Sequence, residues 1–223
     1  MNFDPIAHIY NDFPTKFGLP RQSGMSEHLI SRIVMEKDYR NIEAFRGIEE
    51  FEYLWLIWVF ESMGKRPWSP TVRPPKLGGN RRMGVFATRS PNRPNPIGLT
   101  KVKLIKLEQT AEGPVLTVSG ADLMSGTAIL DIKPYLSYAD SSPEAPSGEY
   151  GPREPLKVEL PPKAQKLFSE EQRNTLTEVL SLDPRPGYQS DPERIYGFAY
   201  GGYDIRFRVE DGTAYVTDIV KQI

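Results

Sequence analysis

Leu99-Thr100-Lys101-Val102-Lys103-Leu104-Ile105-Lys106-Leu107, Val115-Leu116-Thr117-Val118-Ser119-Gly120 and Thr127-Ala128-Ile129-Leu130-Asp131-Ile132 follow one another with only short turns between them. Each run is rich in β-branched and apolar residues, and each is bounded by Gly, Ser or Asp, which reads as a strand. Ser125-Gly126 makes the turn before the last of them. Working outward, Met83–Thr88 reads as a further strand, Tyr53–Phe60 as a fully buried one, Leu29–Met35 as another and Ile6–Tyr10 as an edge or opening strand. Asn41–Phe51 has helical spacing, with Ile42, Phe45 and Ile48 on one face, Asn41 as N-cap and Gly47 shortening it. Many short strands without alternating long helices predict an all-β barrel or sandwich.

Beyond Tyr138 the composition changes. The stretch from Ala139 to Lys163 is rich in Pro, Ser and Glu and has little periodicity, as a connecting segment would. Ser169 and Gln172 form a capping-box pattern that opens a helix running to about Leu182, and Asp183-Pro184-Arg185-Pro186 stops it. Arg194–Tyr200, Tyr203–Val209 and Thr213–Val220 predict an antiparallel meander with turns at Gly201-Gly202 and Asp211-Gly212. The expected organisation is a mainly β protein: an N-terminal β domain over residues 1–140, a connector over 141–162, and a small α+β C-terminal domain over 163–223.

Charge is segregated. The 223 residues carry 28 Lys+Arg against 29 Asp+Glu, yet Ser62 to Leu107 holds eleven cations and no acidic residue. The same stretch contains Arg73-Pro74-Pro75-Lys76-Leu77-Gly78-Gly79-Asn80 and Arg89-Ser90-Pro91-Asn92-Arg93-Pro94-Asn95-Pro96-Ile97-Gly98, loops stiffened by Pro and punctuated by Gly. Such a surface suits a polyanion or a nucleotide-like ligand better than it suits a merely solvated loop. Lys76, Arg81 and Arg82 are the candidates for contact with a nucleic-acid backbone. Arg185 is a further one, a single cation on a corner held by two prolines.

Other classes are excluded. No apolar run reaches the ~20 residues that span a bilayer, so no membrane partner is expected, and the N-terminus lacks a signal-peptide pattern. With no cysteine and two histidines, neither a disulfide framework nor a thiolate or His-rich metal centre is expected. The expected compartment is the cytoplasm. The P-loop, the Rossmann fingerprint, the zinc-hydrolase and zinc-deaminase patterns and the G-x-S-x-G elbow are all absent. Group transfer without a protein nucleophile remains. Asp131 and Lys133 alternate with Leu130 and Ile132, so both point to one face; spacing does not choose between a buried ion pair and a site pair. Asp122 ends a strand, where a turn carboxylate satisfying backbone N–H groups is the alternative. Arg89 opens the Pro-Asn-Pro loop, with a salt bridge as the competing reading.

Pro20-Arg21-Gln22, Ala44-Phe45-Arg46-Gly47-Ile48-Glu49, Val72-Arg73-Pro74-Pro75-Lys76-Leu77-Gly78-Gly79-Asn80, Gly84-Val85-Phe86-Ala87-Thr88-Arg89-Ser90-Pro91, Arg93-Pro94-Asn95-Pro96-Ile97-Gly98 and Asp131-Ile132-Lys133-Pro134-Tyr135 together resemble the TsaA-like (TrmO-type) tRNA methyltransferase family. The similarity runs in order over roughly residues 5–140, and Asp183-Pro184-Arg185-Pro186 resembles a motif of the C-terminal extension in bacterial members. The resemblance implies a β-barrel-like fold, a homodimer, S-adenosylmethionine near the subunit interface, and tRNA as partner. The implied reaction is methylation of the exocyclic amine nitrogen of threonylcarbamoyl-adenosine beside the anticodon of a threonine tRNA. Carried over residue by residue, it implies a cofactor site of Gln22, Ser23, Gly24, Glu61, Ser62, Arg89, Leu99, Asp122, Leu123, Met124 and Ser125. Many relatives have Asp where this chain has Ser125, so the resemblance carries over a backbone contact at Ser125 rather than one through that carboxylate. Since the methyl donor is already activated, a mild base is enough, with Asp131 and Tyr135 as the catalytic candidates. The rival class is a non-catalytic RNA-binding or regulatory module for an adenine-containing ligand, separated from the first by direct binding of S-adenosylmethionine.

Overall fold

The protein is described by a computed structural model, which covers residues 3–60, 67–74, 81–148, 151, 154–186, 189 and 191–222. The first eight strands are β1 (Ala7–Tyr10), β2 (Ile30–Met35), β3 (Tyr53–Val59), β4 (Thr71–Val72), β5 (Met83–Gly84), β6 (Ile97–Thr110), β7 (Gly113–Ser119) and β8 (Thr127–Pro134). They are followed by α1 (Ser137–Asp140), β9 (Lys157–Glu159), α2 (Lys163–Leu167), α3 (Glu170–Ser181), β10 (Tyr196–Tyr200), β11 (Tyr203–Glu210) and β12 (Thr213–Lys221).

Six strands close into a barrel in the order β1-β2-β7-β6-β3-β8, each pair antiparallel. Of the two architectures open at the level of strand pattern, the closed one is realised, and β1 is paired on both sides rather than lying at an edge. Closure leaves each strand one inward and one outward face. Leu54, Leu56 and Trp58 of β3 therefore meet Ile9, Ile33, Val102, Val118 and Ile129 in the barrel core, whereas Tyr53, Trp55, Ile57 and Val59 face outward and are half-buried. The run expected to be buried on both faces is an alternating strand; its outward side chains are large and apolar, which masks the period.

Two further expectations are corrected. Asn41–Phe51 is not one helix but two 3-10 turns, Ile42–Phe45 and Ile48–Glu50. Asn41 does cap the first, accepting the Glu43 N–H at 3.0 Å. Gly47, at φ 84°, sits in the left-handed region and ends the helical path there. Met83–Thr88 is not a strand throughout: β5 pairs briefly with β4, and Val85–Ala87 then turns, closed by the Thr88 hydroxyl donating to the Val85 carbonyl at 2.8 Å.

The second sheet has the order β10-β11-β12-β9. The meander is as read from the sequence, and β9, inside the Pro/Ser/Glu-rich stretch, adds a parallel strand to β12. The capping box of α3 is present in both directions between Ser169 and Gln172. Leu176, Val179 and Leu180 of α3 pack on Phe198, Tyr200, Ile205 and Phe207. Phe13, Leu19 and Leu29, from the segment between β1 and β2, are buried in this same cluster rather than in the barrel.

Candidate functional site

Strand β6 is longer than either of its neighbours. It pairs with β3 over Ile97–Lys103 and with β7 over Lys103–Thr110. Its first half therefore has one edge that β7 does not cover, and the segment 22–24 lies in that gap. Ser23 Oγ accepts the Lys101 N–H at 3.2 Å, and the Gly24 N–H donates to the Gly120 carbonyl at 2.9 Å, just past the end of β7. The Arg89 guanidinium donates to the Gln22 side-chain oxygen. Leu99, on the outward face of β6, is 58% exposed. Gln22, Ser23, Gly24, Arg89, Leu99 and Asp122 are thus gathered at one notch in the barrel wall, although they come from four separate stretches of chain.

Asp122 lies in the β7–β8 connection, mostly withdrawn from solvent. Its Oδ1 accepts the Thr100 hydroxyl at 2.7 Å, and Thr100 Oγ1 in turn accepts the Trp58 indole N–H at 3.0 Å. Burial pushes the Asp122 carboxyl above the ordinary aspartate range; the Thr100 hydrogen bond, its own backbone N–H and the charge of Arg89 oppose that push without cancelling it. Among the described residues Arg89 makes no ion pair, and its contact there is the neutral Gln22 amide.

Leu123, Met124 and Ser125 are placed differently. The Leu123 side chain is buried in the barrel core, and its carbonyl accepts from Asn11 Nδ2 at 2.9 Å. Met124 packs on the cluster beneath the second sheet. The Ser125 N–H donates to the Phe13 carbonyl at 2.8 Å and its hydroxyl oxygen accepts the Asn11 N–H at 3.2 Å. These three residues tie the β7–β8 connection to the 9–13 segment, and of 122–125 it is Asp122 whose polar side chain reaches the β6 notch. Glu61, Ser62 and Lys76 lie outside the described residues.

Asp131 and Tyr135 are on the outward face of β8 and just after it. Asp131 pairs across the strands with Ile57, which pairs with Leu99, so it stands two strands, roughly 10 Å, from the notch. Its Oδ2 lies 2.7 Å from Lys133 Nζ and both side chains are well exposed, so the alternation reflects a surface ion pair. The Tyr135 ring meets Tyr53 at 6.0 Å and Trp55 at 5.8 Å, with the Lys101 ammonium 5.0 Å from its centroid. Among the other candidates, Arg81 and Arg82 are exposed. Arg185 folds back on Asp183, with Nε–Oδ1 at 2.8 Å and Nη2–Oδ2 at 3.0 Å, so that its charge is neutralised locally. The corner instead offers its backbone: the Arg21 guanidinium donates to the carbonyls of Asp183 and Arg185. Thr100, Trp58 and Asn11 were missed from the sequence. Alternation along β6 does put Thr100 on the inward face, and a hydroxyl in a row of Val and Leu was the available signal.

Residues 8–141 match the family described as the tRNA-methyltransferase O N-terminal domain, and residues 153–222 the TrmO C-terminal domain. The chain is 38% identical to the tRNA (adenine(37)-N6)-methyltransferase of Escherichia coli (strain K12), over 94% of its own length and 93% of that protein's. It is 35% identical to a Pseudomonas aeruginosa protein provisionally named an S-adenosylmethionine-dependent methyltransferase, over 91% and 90% of the two chains. A crystal structure of TrmO from Pseudomonas aeruginosa superposes with a TM-score of 0.78 at 28% identity, covering 99% of this chain and 98% of that one.

Proposed function

This chain belongs to the tRNA-methyltransferase O family, and we propose that it methylates the exocyclic amine nitrogen of threonylcarbamoyl-adenosine beside the anticodon of threonine tRNA. S-adenosylmethionine is the methyl donor in this reading. The observation that carries it is the notch, where a guanidinium, a withdrawn carboxylate, loop amides and an exposed leucine converge on the uncovered edge of β6. That set fits a ligand with a carboxylate, a cationic centre and a flat apolar ring. Arg89 and the Gln22 amide would hold the carboxylate, Leu99 would cover the ring, and Ser23, Gly24 and Asp122 would complete the polar side.

When bound, the sulfonium supplies an already activated methyl group. The chain's own task is to align the acceptor nitrogen and to exclude water, which is the larger part of catalysis for such a transfer. The acceptor N–H lies between a purine and a carbonyl, so a weak base suffices. In our reading residues 1–140 carry the methyl chemistry and residues 163–223 support tRNA recognition. Arg81 and Arg82 are assigned to the RNA backbone, the protein works in the cytoplasm, and it acts as a homodimer. Exposed Ile97 and Leu99 on β6, with a further exposed pair in Trp68 and Phe86 whose ring centroids are 6.4 Å apart, favour a second copy.

The test is incubation with methyl-labelled S-adenosylmethionine and tRNA with or without the threonylcarbamoyl group, followed by nucleoside analysis. Label is expected on the modified nucleoside only. Equal labelling of unmodified tRNA would overturn the substrate, and no labelling of either would overturn the activity.

A further inference from the structure

We propose that Asp122 accepts the proton released by the acceptor nitrogen, and that Thr100 and Trp58 are positioning residues that hold its carboxylate for that task. The proposal rests on the methyl-transfer reading above and adds the residue that completes the chemistry.

The three side chains form a directed chain. An indole N–H only donates, and here it occupies a lone pair of Thr100 Oγ1 at 3.0 Å. A hydroxyl has one proton, so that of Thr100 is committed to Asp122 Oδ1 at 2.7 Å. Thr100 is fully buried and Trp58 nearly so, and the bond between them is buried, while the Thr100–Asp122 bond is part-buried. The indole is itself wedged. A Cβ on Gly98 would stand 2.1 Å from Trp58 Cε2, so only glycine lets the ring lie across β6, and the Phe60 ring packs tilted against it with centroids 4.1 Å apart. One carboxylate oxygen is thus fixed from the barrel interior, and no other side chain hydrogen-bonds the carboxylate among the described residues.

Among the described residues the charged group acting on Asp122 is Arg89, from the loop that precedes β6. Burial outweighs Arg89 and the hydrogen bonds, and the carboxyl titrates above the ordinary aspartate range, closer to the pH at which a base is most useful. In the transfer, the nitrogen–methyl bond forms as the sulfur–methyl bond breaks. The N–H electron pair stays on nitrogen and the proton passes to Asp122. One positive and one negative charge are discharged together, which favours the step in a site shielded from water. Asp131 stands two strands from the notch, exposed and paired with Lys133.

The experiment compares the parent with Asp122→Asn, Thr100→Val, Thr100→Ser and Trp58→Phe. It measures kcat on tRNA against pH at saturating cofactor, S-adenosylmethionine affinity by calorimetry, and titration of the carbon-13-labelled Asp122 carboxyl by NMR without cofactor. Asp122→Asn should lower kcat at saturating cofactor at least a hundredfold and abolish the acidic limb of the profile. Thr100→Val removes a bond to the charged form, so the Asp122 titration and the acidic limb should both move to higher pH. Trp58→Phe should move them less, and Thr100→Ser should restore them. Asp122→Asn with parental kcat, or with lost affinity and parental kcat at saturation, would overturn the proton role. An unmoved NMR titration in Thr100→Val would overturn the positioning role. A parent that transfers no methyl group to tRNA would instead overturn the underlying reading, and the NMR arm reports on the Asp122 contact independently of that.

Discussion

A carboxylate withdrawn from solvent beside a single hydroxyl is held at a cost to folding. Because the Asp122 carboxyl titrates higher in the folded state than in the unfolded chain, the folded state binds more protons through that range, and stability falls as pH rises through it. Asp122→Asn keeps an oxygen for Thr100 and removes the charge. It is expected to raise the melting temperature at neutral pH by the equivalent of about 0.5–2 kcal/mol, as relief of a functional-site strain commonly does. The gain should shrink toward zero below the ordinary aspartate pKa. Melting curves at acidic and neutral pH check this, and a variant no more stable at pH 7 than the parent would contradict it. At Arg89 the expected effect is on binding. Arg89→Ala should weaken S-adenosylmethionine at least tenfold, about 1.4 kcal/mol, by calorimetry. Asp122 stood out in the sequence because it sits where a strand gives way to a loop, and Arg89 because it opens the Pro-Asn-Pro loop. Thr100 and Trp58 did not, because their partners lie on other strands, and pairing register is not written in either strand alone.

At the scale of elements, α3 is the clearest case of local chemistry deciding structure, since its capping box is complete in four residues. Its inward face also carries Glu178, which accepts the Ser26 hydroxyl at 2.6 Å, the His28 N–H at 3.0 Å and His28 Nδ1 at 2.6 Å. Burial alone would raise this carboxyl, but the bonds from Ser26 and His28 outweigh it and hold it below the ordinary glutamate range. A carboxyl lowered in the folded state stabilises above its unfolded pKa, and that contribution is lost as pH falls through the folded one. Glu178→Ala, leaving the buried Ser26 hydroxyl without its acceptor, is expected to cost about 1–3 kcal/mol at pH 7. The difference from the parent should narrow in acid, and equal melting at pH 7 would refute the clamp. The elements that sequence reading misjudged have physical reasons in common. The 42–50 turns show helical spacing over a stretch that Gly47 interrupts, β5 is two residues long, and β9 is too short to show a period.

At the scale of the molecule, the two sheets share more than a connector. Phe13, Leu19 and Leu29 leave the barrel chain and are buried under the second sheet, with Phe13 4.8 Å from Tyr200 and 6.3 Å from Phe198 between ring centroids. Gln172 Nε2 donates to Asp12 at 2.9 Å, and the Thr175 hydroxyl to the His28 carbonyl at 2.6 Å. Two of these apolar anchors, Leu19 and Leu29, bracket Gln22-Ser23-Gly24, and Arg21 fastens the same loop to the carbonyls of Asp183 and Arg185. Composition alone makes residues 163–223 look like an added unit that could be removed without loss of the cofactor site. The packing predicts otherwise. A chain ending at Pro162 strips the cover from three buried apolar side chains, each worth about 1.5–3 kcal/mol when fully buried, and frees the loop that lines the notch. It should therefore melt lower than the full chain and bind S-adenosylmethionine at least tenfold more weakly, in addition to losing tRNA methylation. Arg21→Ala separates loop anchoring from global stability. It should leave melting within a few degrees of the parent while weakening cofactor binding severalfold, because ordering the loop then falls to the ligand. A truncated chain that melts cooperatively at the parental temperature and binds cofactor with parental affinity would show that the notch is built by the barrel alone.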